Sequence, residues 1–381
     1  MNALQKLEQL GQSIWYDNIS RGMMTSGGLQ KFVDEGLLGM TSNPTIFDKA
    51  ISGSSDYDAQ IRTLVERSPG IAAGEIIQAL MIKDIQMATD VFAPVFERTQ
   101  GRDGYVSVEV TPSKARDAKA TIEEARLLWE RIARKNLMVK IPATREGLGA
   151  VEQATSEGIN INVTLIFSVE RYREVAEAYL RGLERRLKEG RPLAGIASVA
   201  SVFVSRIDTL IDDLLERMIK DAGAAEADRL RPLLGKSAVA NTKMVYRAFR
   251  EIFQTQRFRT LEAKGARLQR PLWGSTGTKN AAYSDLLYVE SLIGPHTVNT
   301  VPPNTYTAIL SHLKPALSVE ADLPAAQEVL DQLRRSGIDM RAVTDKLEAD
   351  GVASFEKSFD GLYRNLEKKK SQFSPVGAPS A

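Results

Sequence analysis

The stretch Leu137-Met-Val-Lys-Ile-Pro-Ala-Thr144 decides how this chain is read. Side chains alternate along a strand, so Leu137, Val139 and Ile141 share one face and Met138, Lys140 and Pro142 the other. Lys140 then stands either in solvent or inside the protein. An edge-strand lysine discourages aggregation. A buried lysine is a different reagent, because burial disfavours the charged ammonium and the neutral amine can form a Schiff base with a ketone. The neighbouring segments decide between the two.

Working outward, short apolar runs alternate with longer segments of helical period. The runs are Ser13 to Asp17, Leu37 to Ser42, Tyr105 to Val110, Leu137 to Ile141, Ile161 to Phe167, Gly195 to Val202, Pro271 to Gly274 and His296 to Val301. This pattern predicts an α/β protein with parallel strands, and the count favours a closed (β/α)8 TIM barrel over an open sheet. Asn43-Pro44 and Ser168 read as helix starts. Ile71 to Arg98 and Ser237 to Gln256 read as additional helices, the second within an insert from Asp221 to Arg270. Three helical stretches are expected after the last strand, near Ala325 to Arg335, Met340 to Ala349 and Val352 to Lys369. Residues 1–370 are expected to form a single domain and 371–381, rich in Pro, Ser and Gly, a disordered tail.

Composition excludes several chemistries. Fifty basic and 48 acidic residues leave a net charge of +2, with no global field to draw nucleic acid or an anionic membrane. There is no cysteine, hence no disulfide, thiolate catalysis or Cys-ligated metal. The two histidines, His296 and His312, do not make a metal-ligand spacing. No GxGxxG follows a strand, and Gly235-Lys236-Ser237 has Leu230 where a P-loop needs glycine. No apolar run reaches about 18 residues and no signal pattern opens the chain, so a cytoplasmic protein is expected.

Several strand runs carry polar groups on one face, which a packed core does not tolerate unpaired. Ser107 and Glu109 share a face of the third run; Asn160, Asn162 and Thr164 alternate along the fifth; Ser201, Phe203 and Ser205 share a face of the sixth. Together they predict a polar barrel interior around Lys140. That interior suits a Schiff-base aldol reaction, in which Lys140 attacks a keto carbon and the protonated imine serves as electron sink. Glu109 is the candidate proton shuttle and Asp17 the candidate second carboxylate. Asn43, Asn162 and Thr164 would hold substrate hydroxyls and the catalytic water. Taken singly, Asp17 also reads as a turn residue and Asn43 as a helix cap.

An anion site is legible in Trp273-Gly-Ser-Thr-Gly-Thr-Lys-Asn280, which offers Ser275 and Lys279 where barrels commonly bind phosphate. Arg206, one turn beyond the sixth run, could make a bidentate contact with the same group. The bland readings are a Gly-rich turn and a surface ion pair.

The blocks Gly39-Met-Thr-Ser-Asn-Pro-Thr-Ile-Phe47, Val108-Glu-Val110, Val139-Lys-Ile-Pro-Ala143, Gly158-Ile-Asn-Ile-Asn-Val-Thr-Leu-Ile-Phe-Ser168 and Ser201-Val-Phe-Val-Ser-Arg206 together resemble the transaldolase family. The resemblance runs from Asp17 to about Pro302. It implies a class I aldolase barrel that transfers a dihydroxyacetone unit between sugar phosphates, with no metal or other cofactor. The expected reaction takes sedoheptulose 7-phosphate and glyceraldehyde 3-phosphate to erythrose 4-phosphate and fructose 6-phosphate in the pentose phosphate pathway. By the same resemblance Lys140, Glu109 and Asp17 are catalytic, with Thr164 beside them. Asn43, Asn162 and Ser201 line the substrate, and Arg206 binds phosphate. Shorter members carry arginine where this chain has Lys279, and the inserted and terminal helices resemble the longer bacterial form. A fructose-6-phosphate aldolase is the nearest alternative, and a non-catalytic sugar-phosphate binder a more distant one. Phe203, unable to donate a proton, favours transfer over release. The oligomeric state is left open, a homo-oligomer included.

Overall fold

The computed structural model describes residues 1–373. Eight strands, β1 (Gln12–Asp17), β2 (Gly39–Thr41), β3 (Val106–Glu109), β4 (Leu137–Pro142), β5 (Ile161–Ile166), β6 (Ser198–Phe203), β7 (Arg270–Gly274) and β8 (Thr297–Val301), pair in chain order as a closed barrel. Every pairing is parallel. The fold is the (β/α)8 TIM barrel with additional helices. Closure leaves no sheet edge, which removes the edge-strand reading of Lys140. Every residue of β4 is buried, the outward Val139 and Ile141 against helices and Lys140 within the ring.

Register aligns the polar interior. Glu109 pairs with Lys140 and Lys140 with Asn162, so three polar residues from consecutive strands form one row. Asp17 pairs with Thr41 and Thr41 with Ser107, a second row beside the first. Leu165 adopts φ +62°, and the β5–β6 register shifts between Val163 and Ile166, so the alternation expected along β5 ends after Thr164.

The opposite mouth is closed by charge. Asp103 accepts from Ser13 Oγ at 2.8 Å and Trp15 Nε1 at 3.1 Å, and pairs with Arg270 at 3.0 Å. Arg270 also donates to the Thr297 carbonyl at 2.8 Å. Asn160 belongs to this end too, donating to the carbonyls of Lys135 and Leu137 and accepting from the Ala197 amide.

The helix starts at Asn43 and Ser168 are capped as expected, with Asn43 accepting from Ile46 N and Ser168 from Arg171 N, each at 3.0 Å. The late helices differ from expectation. Pro303–His312 follows β8, then Leu323–Arg335, and Met340–Ser371 is one continuous helix of 32 residues rather than two. Asp350-Gly351 reads as a break, but the glycine serves a close approach: a Cβ there would lie 2.9 Å from Leu165 Cδ2. The helix thus runs across the C-terminal mouth, held by Ser358 on Thr45 at 2.7 Å and by Lys369 on Asp58 at 2.7 Å. Of the expected tail, Ser371 is helical and the Phe373 ring lies under Arg62; residues 374–381 fall outside the described residues. Among the described residues no helix is long and apolar enough to cross a membrane.

Candidate active site

β4 carries Lys140 to the centre of the C-terminal half of the barrel, with 5% of its side chain exposed. Its Nζ donates to the Ser42 carbonyl at 3.2 Å and lies 3.5 Å from Glu109 Oε2. The short strand β2 makes the first contact, since its end brings the Ser42 carbonyl to the barrel axis. Register makes the second, by placing Glu109 level with Lys140. Burial pushes the Glu109 carboxyl up to about 7, against the pull of Lys140 and with a small addition from Asp17.

Asp17, at the end of β1, accepts from Thr41 Oγ1 at 2.7 Å, and Thr41 in turn shares a 2.6 Å hydrogen bond with Thr300 of β8. Burial again raises the carboxyl, opposed by Lys140, the Thr41 hydroxyl and Lys279. Thr41 and Thr300 were not singled out from sequence. Their signal was available, since Thr41 lies near the end of the run after the one that ends in Asp17 and Thr300 alternates with Asn299 and Val301 at the end of β8.

A cavity of about 130 Å³ gathers Asp17, Asn43, Lys140, Ser201, Phe203 and Arg206, together with Ser275 and Lys279 from the β7 loop. Eight of the residues expected at the site therefore share one space. Glu109, Asn162 and Thr164 are not among its walls. Asn162 is fully buried and its amide is engaged on both sides, donating to Ser107 Oγ at 3.0 Å and accepting from Ser201 Oγ at 2.6 Å. It braces the interior rather than facing the cavity. Thr164 Oγ1 and both Glu109 oxygens, all buried, have no hydrogen-bond partner among the described residues.

The cationic end of the cavity is assembled from two elements. Arg206 opens the Ser205–Asp221 helix and lies 5.3 Å over the Phe203 ring, while Lys279 reaches in from an exposed position. Neither has an ion-pair partner among the described residues, which leaves both cations to a ligand. Ser275, at φ +54°, shares a 3.0 Å hydrogen bond with Ser205 and so ties the β7 loop to the Arg206 helix. Phe355 of the Met340–Ser371 helix completes the walls from above. Sequence offered no signal for it, as no strand periodicity connects a residue so far along the chain to the barrel mouth.

Taken together, the arrangement offers a buried amine in contact with one carboxyl, a second carboxyl held across the cavity, and free cations at its rim. Such a set can capture a carbonyl covalently and move protons on either side of it.

Residues 14–366 match the family described as transaldolase/fructose-6-phosphate aldolase. A transaldolase of Trichodesmium erythraeum is 46% identical over 98% of this chain and 99% of its own length. A transaldolase of Saccharopolyspora erythraea is 45% identical over 97% and 98%, and one of Mycobacterium bovis 46% over 94% and 95%. With matches of this extent, the chain belongs to the transaldolase/fructose-6-phosphate aldolase family.

Proposed function

We propose that this chain is a transferase with transaldolase activity, moving a dihydroxyacetone unit from sedoheptulose 7-phosphate to glyceraldehyde 3-phosphate through a Schiff base on Lys140. The observation that carries the reading is the buried contact between Lys140 Nζ and Glu109 Oε2, 3.5 Å apart. The names of relatives matched over nearly the whole chain support transfer over simple aldol cleavage.

Lys140 attacks the C2 carbonyl, and Glu109 relays protons as the carbinolamine loses water. The leaving water would lie by Glu109 and Thr164, the buried groups whose side-chain oxygens have no hydrogen-bond partner among the described residues. Asp17 then takes the proton of the C4 hydroxyl. The C3–C4 bond breaks, its electron pair moves to the imine nitrogen, and the aldose phosphate leaves while a three-carbon enamine stays on the lysine. The acceptor aldehyde reverses these steps, and hydrolysis of the imine frees Lys140. Asn43 and Ser201 line the bound sugar, Asn162 acts through Ser201, and Arg206, Ser275 and Lys279 hold phosphate. Phe203 supplies no proton to the enamine and so favours its survival until an acceptor arrives.

Substrates of this kind suit an activity in the pentose phosphate pathway, in the cytoplasm, and the near-neutral charge supports small-molecule rather than nucleic-acid partners. Residues 1–370 are taken as one folding unit. The test is borohydride reduction with fructose 6-phosphate followed by peptide mass mapping. A three-carbon adduct is expected on Lys140 and none in Lys140→Ala; an adduct on another lysine overturns the assignment. Rapid release of free dihydroxyacetone without an acceptor would instead favour the aldolase reading.

A further inference from the structure

A second cavity, of about 320 Å³, lies beside the first, enclosed by the Ala73–Arg98 helix, the Met340–Ser371 helix and the chain leaving β3. Its walls are largely apolar, with Phe47, Ile77, Met81, Leu128 and Phe359 contributing. Its size is at the lower end of small-molecule sites, which run from about 300 Å³ upward. Glu109 lines this cavity and does not line the one around Asp17 and Arg206. The proton-shuttle candidate is therefore a shared partition, touching Lys140 on one side and a separate space on the other.

The polar groups of this second space are mostly spoken for. Glu124 accepts from Thr111 N at 2.9 Å and Thr111 Oγ1 at 2.7 Å and pairs with Lys114 at 3.3 Å. Glu75 accepts from Ala72 N and Gln78 from Arg131. Glu109 alone of the lining carboxylates presents buried oxygens without a hydrogen-bond partner among the described residues, and only 5% of the residue is exposed. Lys114 answers Glu124 and Lys140 stands 3.5 Å behind Glu109, so Glu75, Glu109 and Glu124 still outnumber the lysines and the lining favours positive charge.

We propose that this cavity is a binding site for a compact aromatic or alicyclic cation, whose apolar body fills the Phe47–Met81–Leu128 walls while its charged donor bonds Glu109. Asn43 is a wall common to both cavities, but the apolar walls and Glu109 belong to this one, so an occupant here does not have to enter the sugar-phosphate space. An occupant would engage the carboxylate that the transaldol reaction needs as a proton shuttle, and so inhibit without displacing substrate. That inhibition rests on the role given to Glu109 above; the binding itself does not.

Benzamidine is a suitable probe, because an amidinium forks onto a carboxylate and does not condense with aldose substrates as a primary amine does. Benzamide, its uncharged counterpart, is the control. Saturation-transfer NMR on the full chain is expected to show benzamidine binding that saturating fructose 6-phosphate leaves in place, at least 10-fold tighter than benzamide. Met81→Trp, which puts an indole into the cavity and narrows it, should weaken binding at least 10-fold while leaving turnover intact; Phe359→Trp serves if Met81→Trp does not fold. In kinetics, benzamidine should lower kcat with KM for fructose 6-phosphate unchanged. Displacement by fructose 6-phosphate, equal binding of benzamide, undiminished binding in the tryptophan variants, or no binding overturns the site. Binding without inhibition upholds the site and counts against the role of Glu109.

Discussion

Lys140 Nζ and Glu109 Oε2 stand 3.5 Å apart with only 5% and 2% of their side chains exposed. A carboxyl pushed up to about 7 by burial can take a proton from a neighbouring ammonium near neutrality, which an ordinary glutamate does far less readily. Register alone fixes this contact, since the two residues are paired across β3 and β4.

Glu109→Gln is expected to keep sugar-phosphate binding while losing about 10²- to 10⁴-fold in kcat, the usual cost of a missing proton shuttle. Steady-state kinetics beside a direct binding measurement check this, and turnover within a few-fold of wild type would remove the residue from its role.

The same pair sets a pH dependence. Below about 7 Glu109 is protonated and cannot accept the proton that Lys140 must shed before attack. Accordingly kcat/KM should fall as pH drops through about 7, with a slope of one on a logarithmic plot, and the residual activity of Glu109→Gln should lack that limb. A limb retained in the variant would assign the titration elsewhere.

Thr41→Val removes the hydroxyl that donates to Asp17 at 2.7 Å while keeping nearly the same shape. Loss of a hydrogen bond to a charged group costs about 1.5–3 kcal/mol, or roughly 10- to 100-fold if the bond is kept in the transition state. The Asp17 carboxyl, already raised by burial, should rise further. The expected outcome is a lower kcat with little change in KM. An unaffected kcat would show that Asp17 needs no such brace.

At the other mouth Asp103 has no exposed side-chain surface and pairs with Arg270 at 3.0 Å. Burial alone would raise its carboxyl, but Arg270 and the Trp15 and Ser13 hydrogen bonds outweigh it and hold the carboxyl below its ordinary 3.8. A depressed carboxyl contributes stability that is present above that ordinary value and lost as pH falls through the lower folded one. Asp103→Ala leaves Arg270 buried without its counter-charge and should cost about 3–5 kcal/mol at neutral pH. Denaturant unfolding at pH 7 and in strong acid should show the difference between variant and wild type shrinking in acid.

These contrasts show what the sequence disclosed and what it withheld. Alternation in β3, β4 and β6 located Glu109, Lys140 and Ser201 because a strand's period of two is insensitive to tertiary context. It could not tell a wall from a brace: Asn162 has the spacing of a substrate ligand, yet both sides of its amide are taken by Ser107 and Ser201. That distinction depends on what lies across the barrel. Gly351 misled for a related reason, as a glycine mid-helix reads as an interruption unless the Leu165 side chain beneath it is known. Phe355 carried no local signal whatever.

Phe355 nevertheless bears on the outcome of the reaction. It lines the Lys140 cavity from the helix laid across the barrel mouth and is 4% exposed. Water that reaches the three-carbon imine ends the cycle as free dihydroxyacetone, so a ring that seals the cavity should favour transfer over release. Phe355→Leu loosens the seal at lower structural cost than alanine, whose cavity penalty is about 3–5 kcal/mol. The expected result is a rise of about 10-fold in dihydroxyacetone released per transfer event, with the Lys140 adduct still trapped by borohydride. A folded Phe355→Leu enzyme with an unchanged ratio of release to transfer would mean that the roof helix supports the barrel without governing access to the imine.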